Sequence, residues 1–424
     1  MPTASLPDRS HQSDVADVNA TWKRSWQSTV MVMIDTNPRG AVACMRALQR
    51  LRPRVRVIAG VRSSRSARSS FLRYSTYAAS TPVVRYDDTS ERAFTASLEA
   101  IRRSHGAFLL LPSGERILRW AIANRRHLAR HGVSVPTVDL DTYVRLSDKL
   151  SFAHTVRNYD IEVPAVDTGL PSSWCSPFVA KPIRPRWCDA NVLERPYLVH
   201  DAAGFDRLQA LALDPTAHFH QQYVSGPSYY YCALYWRGRL VSHFFQKTLL
   251  QAPQGGPVVA AAPALPPSHL TTRVDAMMGD LAWDGIMMME FKRSGESFYA
   301  IECNPRVWGP LQLSLDNGVD FIGDLVTTAL QIDDAGRLEG RGAAPSGYVW
   351  ASGIAEAALI RARTGSPVQR WPHDDDQRPR ALDVWFRRDT WPYALLEPVM
   401  LAGRVLRSVY ESIRRRASHG RGAM

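Results

Sequence analysis

The sequence lacks the features that mark membrane, secreted and zinc-stapled proteins. No apolar run in its 424 residues approaches the ~18–20 residues that a membrane span requires. The opening stretch has no apolar segment of the secretory-signal kind, which leaves the cytoplasm as the expected location. Cysteine is scarce: Cys44, Cys175, Cys188, Cys232 and Cys303 are scattered, odd in number and form no CxxC pair. That spacing argues against a disulfide framework or structural zinc site and fits a reducing compartment. No internal repeat is visible. Acidic residues are in deficit, 40 against 52 Lys+Arg, for a net charge of +12. A basic surface favours anionic partners: nucleotides, phosphorylated metabolites, nucleic acid or anionic lipid. Much of the excess lies at Arg62, Arg65, Arg68 and Arg73, and in a tail with Arg404, Arg407, Arg414, Arg415, Arg416 and Arg421.

What is present is ordinary globular composition, in a chain long enough for two or three domains with cores of their own. Residues 1–25 are polar and aperiodic and read as a disordered tail. TVMVMID (29–35), a helix over 41–51 and RVRVIAG (54–60) form a strand–helix–strand unit of a parallel sheet. GAFLLLP (106–112) is another strand, and 115–132 reads as one helix closed by Gly132. These pieces predict an N-terminal parallel α/β domain over 26–145. A core follows over 146–335. Ser147 is its first expected N-cap, opening a helix at about 148–159. PFVAKPI (177–183) and HFHQQYVSG (218–226) are strands, and 228–249 is a hairpin turning at Arg237-Gly238. GIMMMEFKR and FYAIECNPR form a second hairpin, and Gly309-Pro310 opens a helix ending near Gly318. Residues 336–424 form a C-terminal region. Its last helix has Leu401, Val405, Val409 and Ile413 on one side and arginines opposite, which reads as an amphipathic helix docked on the body. The sharper reading is a helix that binds a membrane surface or nucleic acid.

The chemistry concentrates at Glu302, Asn304 and Arg306. Alternate side chains of a strand share a face, so an acid, an amide and a guanidinium point one way. On the preceding strand Met288, Glu290 and Lys292 share a face. An odd-numbered turn would set Glu290 opposite Glu302, whereas a two-residue turn at Ser294-Gly295 would separate them. Two facing carboxylates repel unless a cation or proton lies between them. Magnesium fits, since it takes oxygen ligands and leaves positions for phosphate and water. Asn304 adds a neutral oxygen, and Arg306 can grip phosphate or carboxylate bidentately. Lys149 lies in the first turn of a helix, where free N–H groups favour anions. Lys181 projects from the end of a strand.

In order, these residues resemble the ATP-grasp superfamily. The matching pieces are Asp148-Lys149, Ala180-Lys181-Pro182, Gln221-Gln222-Tyr223-Val224-Ser225-Gly226, Pro253-Gln254-Gly255-Gly256-Pro257, Trp283-Asp284-Gly285, Glu290-Phe291-Lys292 and Ile301-Glu302-Cys303-Asn304-Pro305-Arg306. They span about 146–322, and Trp283 to Phe321 resembles the carboxylate–amine ligases related to carbamoyl-phosphate synthase. The resemblance implies an α/β and α+β protein with a two-lobed core behind its leading parallel domain. It implies ATP and Mg²⁺, or Mn²⁺ in its place, as cofactors. Small-molecule carboxylate and amine substrates follow from it, joined through an acyl phosphate with release of ADP. Lys149 and Lys181 would hold the α- and β-phosphates. Gln221, Gln222, Tyr223 and Val224 would form the hinge that reads adenine. Glu290, Glu302 and Asn304 would ligate the metal, Arg306 would stabilise the transferring phosphoryl group, and Lys247 would lie near the γ-phosphate.

The sequence departs from the family pattern in places. The loop after Lys181 carries Arg184 and Arg186 in place of glycines. The hinge has Gln222 where an acid is common, and Ser228 stands near the position of a ribose-binding glutamate. A reading of another class therefore stands beside the ligase: a non-catalytic nucleotide-binding or scaffold protein with a basic surface-binding tail. His218 and His220 form an HxH without a third ligand and read as structural. The run from Tyr229 to Trp236 reads as core and sheet surface.

Overall fold

The computed structural model describes residues 28–52, 54–64, 70–183, 196–253, 255–332, 346–364 and 380–403. The 1–25 tail, Arg65, Arg68, Cys188, Gln254, the loop with Arg184 and Arg186, most of the linker near 339–347, and every position from Arg404 onward lie outside them.

The leading unit runs β1 (Ser28–Met33), α1 (Pro38–Gln49), β2 (Val55–Arg62), β3 (Val83–Tyr86), α2 (Glu91–His105), β4 (Phe108–Leu111), α3 (Glu115–Ala123), α4 (Arg125–Arg130) and β5 (Val133–Ser134). Its five strands are parallel in the order β3-β2-β1-β4-β5. The unbroken apolar run of β1 follows from burial on both faces. Val30 and Val32 pack with α1, and Met31 and Met33 pack with α2 and α3. Asn37 caps α1 by accepting from the Gly40 N–H at 3.2 Å, with Pro38 at the first helical position. The single helix expected over 115–132 is two helices. Asn124 breaks it, its side-chain amide donating to the Trp120 carbonyl at 2.9 Å. A side chain that bonds nearby backbone competes with the helix ladder.

A helical step, α5 (Leu140–Ser147) and α6 (Lys149–Arg157), leads into the core. The cap of α6 is Asp148, not Ser147. The Asp148 carboxylate accepts from Ser151 N–H at 2.9 Å, while Ser147 ends α5 and takes a hydrogen bond from Arg119 at 2.6 Å. Next come β6 (Val166–Thr168), β7 (Phe178–Pro182), β8 (Tyr197–Val199), α7 (Ala202–Gln209) and β9 (His218–Gln222). These four strands form an antiparallel sheet in the order β6-β9-β7-β8, with a small core of Phe178, Ala180, Val199, Phe205 and Leu208. His218 and His220 lie on its inner strand β9, each imidazole bonded to a backbone carbonyl (Asp214 and Gly169). They are structural.

The second lobe holds β10 (Ser228–Trp236), β11 (Arg239–Gln251), β12 (Val258–Pro263), α8 (Ser268–Asp280), β13 (Gly285–Ser294), β14 (Ser297–Asn304), α9 (Leu311–Asp316), α10 (Phe321–Leu330), β15 (Ser346–Val349), α11 (Ala351–Thr364) and β16 (Arg380–Asp383), and a last helix covers 391–403. Seven strands make one sheet, β14-β13-β10-β11-β12-β15-β16. The C-terminal stretch is thus continuous with this sheet, β15 pairing with β12 through Ala260↔Val349 and Ala261↔Tyr348. The β10–β11 hairpin turns at Arg237 and Gly238, both with positive φ (52° and 72°). Two such residues are what a tight turn between right-twisted strands requires. The sheet is buried on both faces. Tyr231, Tyr235, Met287 and Met289 pack with α8 on one side, and Cys232, Leu234 and Met288 pack with α1, α9 and α10 on the other.

The β13–β14 hairpin answers the register question. Its turn is even, with Ser294 paired to Ser297 around Gly295 and Glu296. On its own that would set Glu290 against Ile301. The ladder instead steps by one between Phe291↔Ala300 and Glu290↔Glu302, so Ile301 is the extra residue of a β-bulge. The bulge restores the carboxylate pair that the turn alone would have separated.

Candidate active site

Directly opposed residues in an antiparallel ladder share a face. The row across the large sheet is therefore Glu302, Glu290, Tyr230 and Gln246. The Ser228 hydroxyl, also buried, donates to Glu290 Oε1 at 2.8 Å. From the helical step, Lys149 brings its ammonium to 3.6 Å from Glu302 Oε2. The smaller sheet supplies Lys181, only 5% exposed, whose ammonium donates to Gln221 Oε1 at 2.6 Å. The Asn304 amide donates to Glu302 Oε1 at 2.8 Å, and Arg306 donates to Asn304 Oδ1 at 3.1 Å. Arg306 Nε also lies 3.7 Å from Glu115 Oε2, in the leading unit, and Glu115 pairs in turn with Arg119 at 3.3 Å. Alternating charge thus runs from Lys149 through Glu302, Arg306 and Glu115 to Arg119.

The two carboxylates are driven apart electrostatically. Burial, and then the charge of Glu302, push Glu290 up; Lys292, Ser228 and Lys181 offset only part of this. Burial would also raise Glu302, but Lys149, Lys181, the Asn304 amide and Arg306 outweigh it and hold that carboxyl well below the usual range. Lys181 falls from 10.5 to about 8, first because it is buried and then because Lys149 is near; the two glutamates pull the other way. Two carboxylates held this way repel unless positive charge or a proton offsets them, and Lys149 and Lys181 supply part of that charge.

The structure brings together Lys149, Lys181, Gln221, Ser228, Glu290, Glu302, Asn304 and Arg306. It does not bring Lys247 to them. Lys247 pairs with Tyr229, and Tyr229 with Phe291, so it stands on the opposite face of the sheet, its ammonium 6.0 Å from the Tyr229 ring centroid. Position along the chain had matched, and strand alternation turned the side chain away. Ser228 sits against the carboxylate face, its hydroxyl proton donated to Glu290. Gln222 is exposed and points outward, its amide oxygen 3.5 Å from Ala165 N. In the linker between the two sheets the Tyr223 N–H is spent on Pro177 O, at 3.1 Å. Among the described residues no hydrogen bond is made by the N–H or C=O of Val224. Asn304 turns its amide oxygen to Arg306, so the amide must flip to present that oxygen to a cation beside Glu302.

Four contributors escaped the sequence reading. Glu115 and Arg119 come from the other end of the chain. The Tyr230 hydroxyl sits between the acids and β11; burial, and then Glu290 and Glu302, raise its pKa far above the ordinary range. Gln246 is fully buried, and among the described residues neither of its amide atoms has a partner. An orphaned buried amide is costly, and this one lies on the sheet face of the acids. Gly226, at the end of the 218–226 segment, needs to be glycine for a steric reason. Its φ is +126°, and a Cβ there would lie 2.0 Å from the Arg293 carbonyl oxygen.

No family model matches the sequence, and a search of curated proteins finds no match. Solved structures do share the fold. An L-amino acid ligase from Bacillus licheniformis superposes with a TM-score of 0.55 at 14% identity, covering 75% of this chain and 77% of that one. A biotin carboxylase–ATP complex from Campylobacter jejuni gives 0.54 at 13%, covering 75% and 73%. The biotin carboxylase domain of a Hydrogenobacter thermophilus 2-oxoglutarate carboxylase, solved with MgADP and bicarbonate, gives 0.55 at 12%, covering 72% and 69%. Both the order of strands and the likeness to these enzymes identify the architecture: the chain has the ATP-grasp fold, a parallel α/β unit leading into a two-lobed core.

Proposed function

We propose that this chain is an ATP-dependent, ADP-forming ligase that joins a substrate carboxylate to an amine. One observation carries the reading: Glu290 and Glu302 face each other across β13 and β14 while Lys149 and Lys181 converge on them. The donor set fits Mg²⁺ or Mn²⁺, with Glu290, Glu302 and a flipped Asn304 as ligands. The ion would supply charge neutralisation for the triphosphate.

The chain's own residues account for the remaining work. Lys149 and Lys181 hold the inner phosphates, Lys181 from a dry setting where its charge is least screened. Val224 offers backbone groups to adenine. Arg306, aimed by Asn304 and Glu115, meets the transferring phosphoryl oxygens. In the first step a carboxylate oxygen attacks the γ-phosphorus, the bond to the β–γ bridging oxygen breaks, and ADP departs. In the second an amine nitrogen attacks the acyl carbon, phosphate leaves and the nitrogen sheds a proton. Both steps rest on positioning and charge. A carboxylate pair this close is a standing cost that a mere scaffold has no use for.

The test is Glu302→Gln in a coupled ADP-release assay against pools of carboxylates and amines, with MgADP affinity measured by calorimetry. ADP formation is expected to fall by roughly a hundredfold or more. Turnover that survives the substitution refutes the assignment. Nucleotide binding with no turnover in any pool would favour the non-catalytic reading.

A further inference from the structure

The helix over 391–403 has its polarity reversed. Its inner side seats Tyr393, Glu397 and Leu401 against the body. Glu397 is the helix's single charged residue, and it is buried, accepting from the indole N–H groups of Trp350 and Trp385. The outward positions are Trp391, Leu395, Pro398, Val399, Ala402 and Gly403, none of them charged. Trp391 is 53% exposed, Leu395 59% and Val399 68%, and Phe386 beside the helix start is 69% exposed. A helix facing water normally carries charge on that side, and contiguous apolar surface of this kind marks an interaction site. Exposed Arg388 lies between the two aromatic residues. The next 21 residues, 404–424, contain six arginines and one acid.

We propose that this face seats the protein on an anionic phospholipid bilayer, with the 391–403 helix lying in the plane of the surface. The apolar stripe recurs at i, i+4 and i+8, one side of a helix. Tryptophan and phenylalanine favour the level of the headgroups, and arginines alongside are drawn to acidic lipid. A second copy of the chain suits the patch less well. A two-fold interface would set the same patch against itself and bring together two copies of a chain that each carry a net charge of +12, where like charges repel. A bilayer of acidic lipid offers the opposite charge over an unlimited area.

The experiment is flotation of the full chain with vesicles of three parts phosphatidylcholine to one part phosphatidylserine, and with vesicles of phosphatidylcholine alone. The wild type should float with the acidic vesicles and lose about tenfold or more of its partitioning on neutral ones. The triple variant Trp391→Ser, Leu395→Ser, Val399→Ser should lose flotation while keeping its melting temperature. A second variant, Arg404→Gln with Arg407→Gln and Arg414→Gln, keeps the stripe and should lose the preference for acidic lipid. The proposal is overturned if the wild type does not float, or if the triple variant floats equally well. It is also overturned if light scattering shows a dimer that the triple variant converts to monomer, or if the triple variant instead abolishes a nucleic-acid gel shift.

Discussion

Replacing Lys181 by methionine should make the protein more stable and nearly inactive at the same time. The ammonium is buried and its pKa falls from an ordinary 10.5 to about 8. At ~1.4 kcal/mol per pKa unit, holding this group charged costs the folded state about 3 kcal/mol. The sign follows from linkage. The folded pKa is depressed, so this group's contribution is full above pH 10.5 and is lost as pH falls through about 8. At neutral pH the wild type therefore bears the whole cost. Lys181→Met removes it, but strands the Gln221 oxygen that accepted the 2.6 Å hydrogen bond, returning about 1 kcal/mol. The variant should be about 2 kcal/mol more stable than wild type at pH 7, and the gap should close as pH rises toward 10. Without that charge on the phosphates, MgADP affinity should fall by about thirtyfold. Urea melts across this pH range and calorimetry supply both numbers. A variant no more stable at pH 7, or a gap that does not narrow with alkalinity, refutes the account of Lys181 as a desolvated cation held for its charge.

Lys247→Met, on the far side of the sheet, should leave ADP release within about threefold of wild type, because such surface cations contribute little; a large loss would return Lys247 to the site. Gly226→Ala should cost about 3 kcal/mol or more, since its Cβ cannot coexist with the Arg293 carbonyl 2.0 Å away; denaturant melts would show it, and a near-neutral result would mean the strand end yields. Glu115→Gln should change stability by less than about 1 kcal/mol, the pair being partly exposed. It should still lower ADP release by roughly tenfold through a misaimed Arg306, and unchanged turnover would remove Glu115 from the site.

The parts of this molecule legible in the sequence are those set by local pattern. Apolar runs such as TVMVM announce strands buried on two faces, and Arg237-Gly238 announces its hairpin. The acid, amide and arginine from Glu302 to Arg306 announce a strand with one polar face. What was not legible depends on pairing. Ile301 looks like any strand residue, yet as the bulge it decides whether Glu290 meets Glu302. Lys247 matched by position and failed by alternation. Ser147 and Asp148 are equally good caps by type, and only the backbone tells which serves. Glu115 joins Arg306 across about 190 residues, a contact no local signal encodes.

That last contact limits how the protein can be rebuilt. Because Arg306 pairs with Glu115 of the leading α/β unit, the unit and the core are matched at this contact, and a homologous unit cannot be swapped in as an independent module. A chimera must carry an acid at the first turn of the equivalent helix, or Arg306 will lose its partner across that junction in an otherwise well-folded protein.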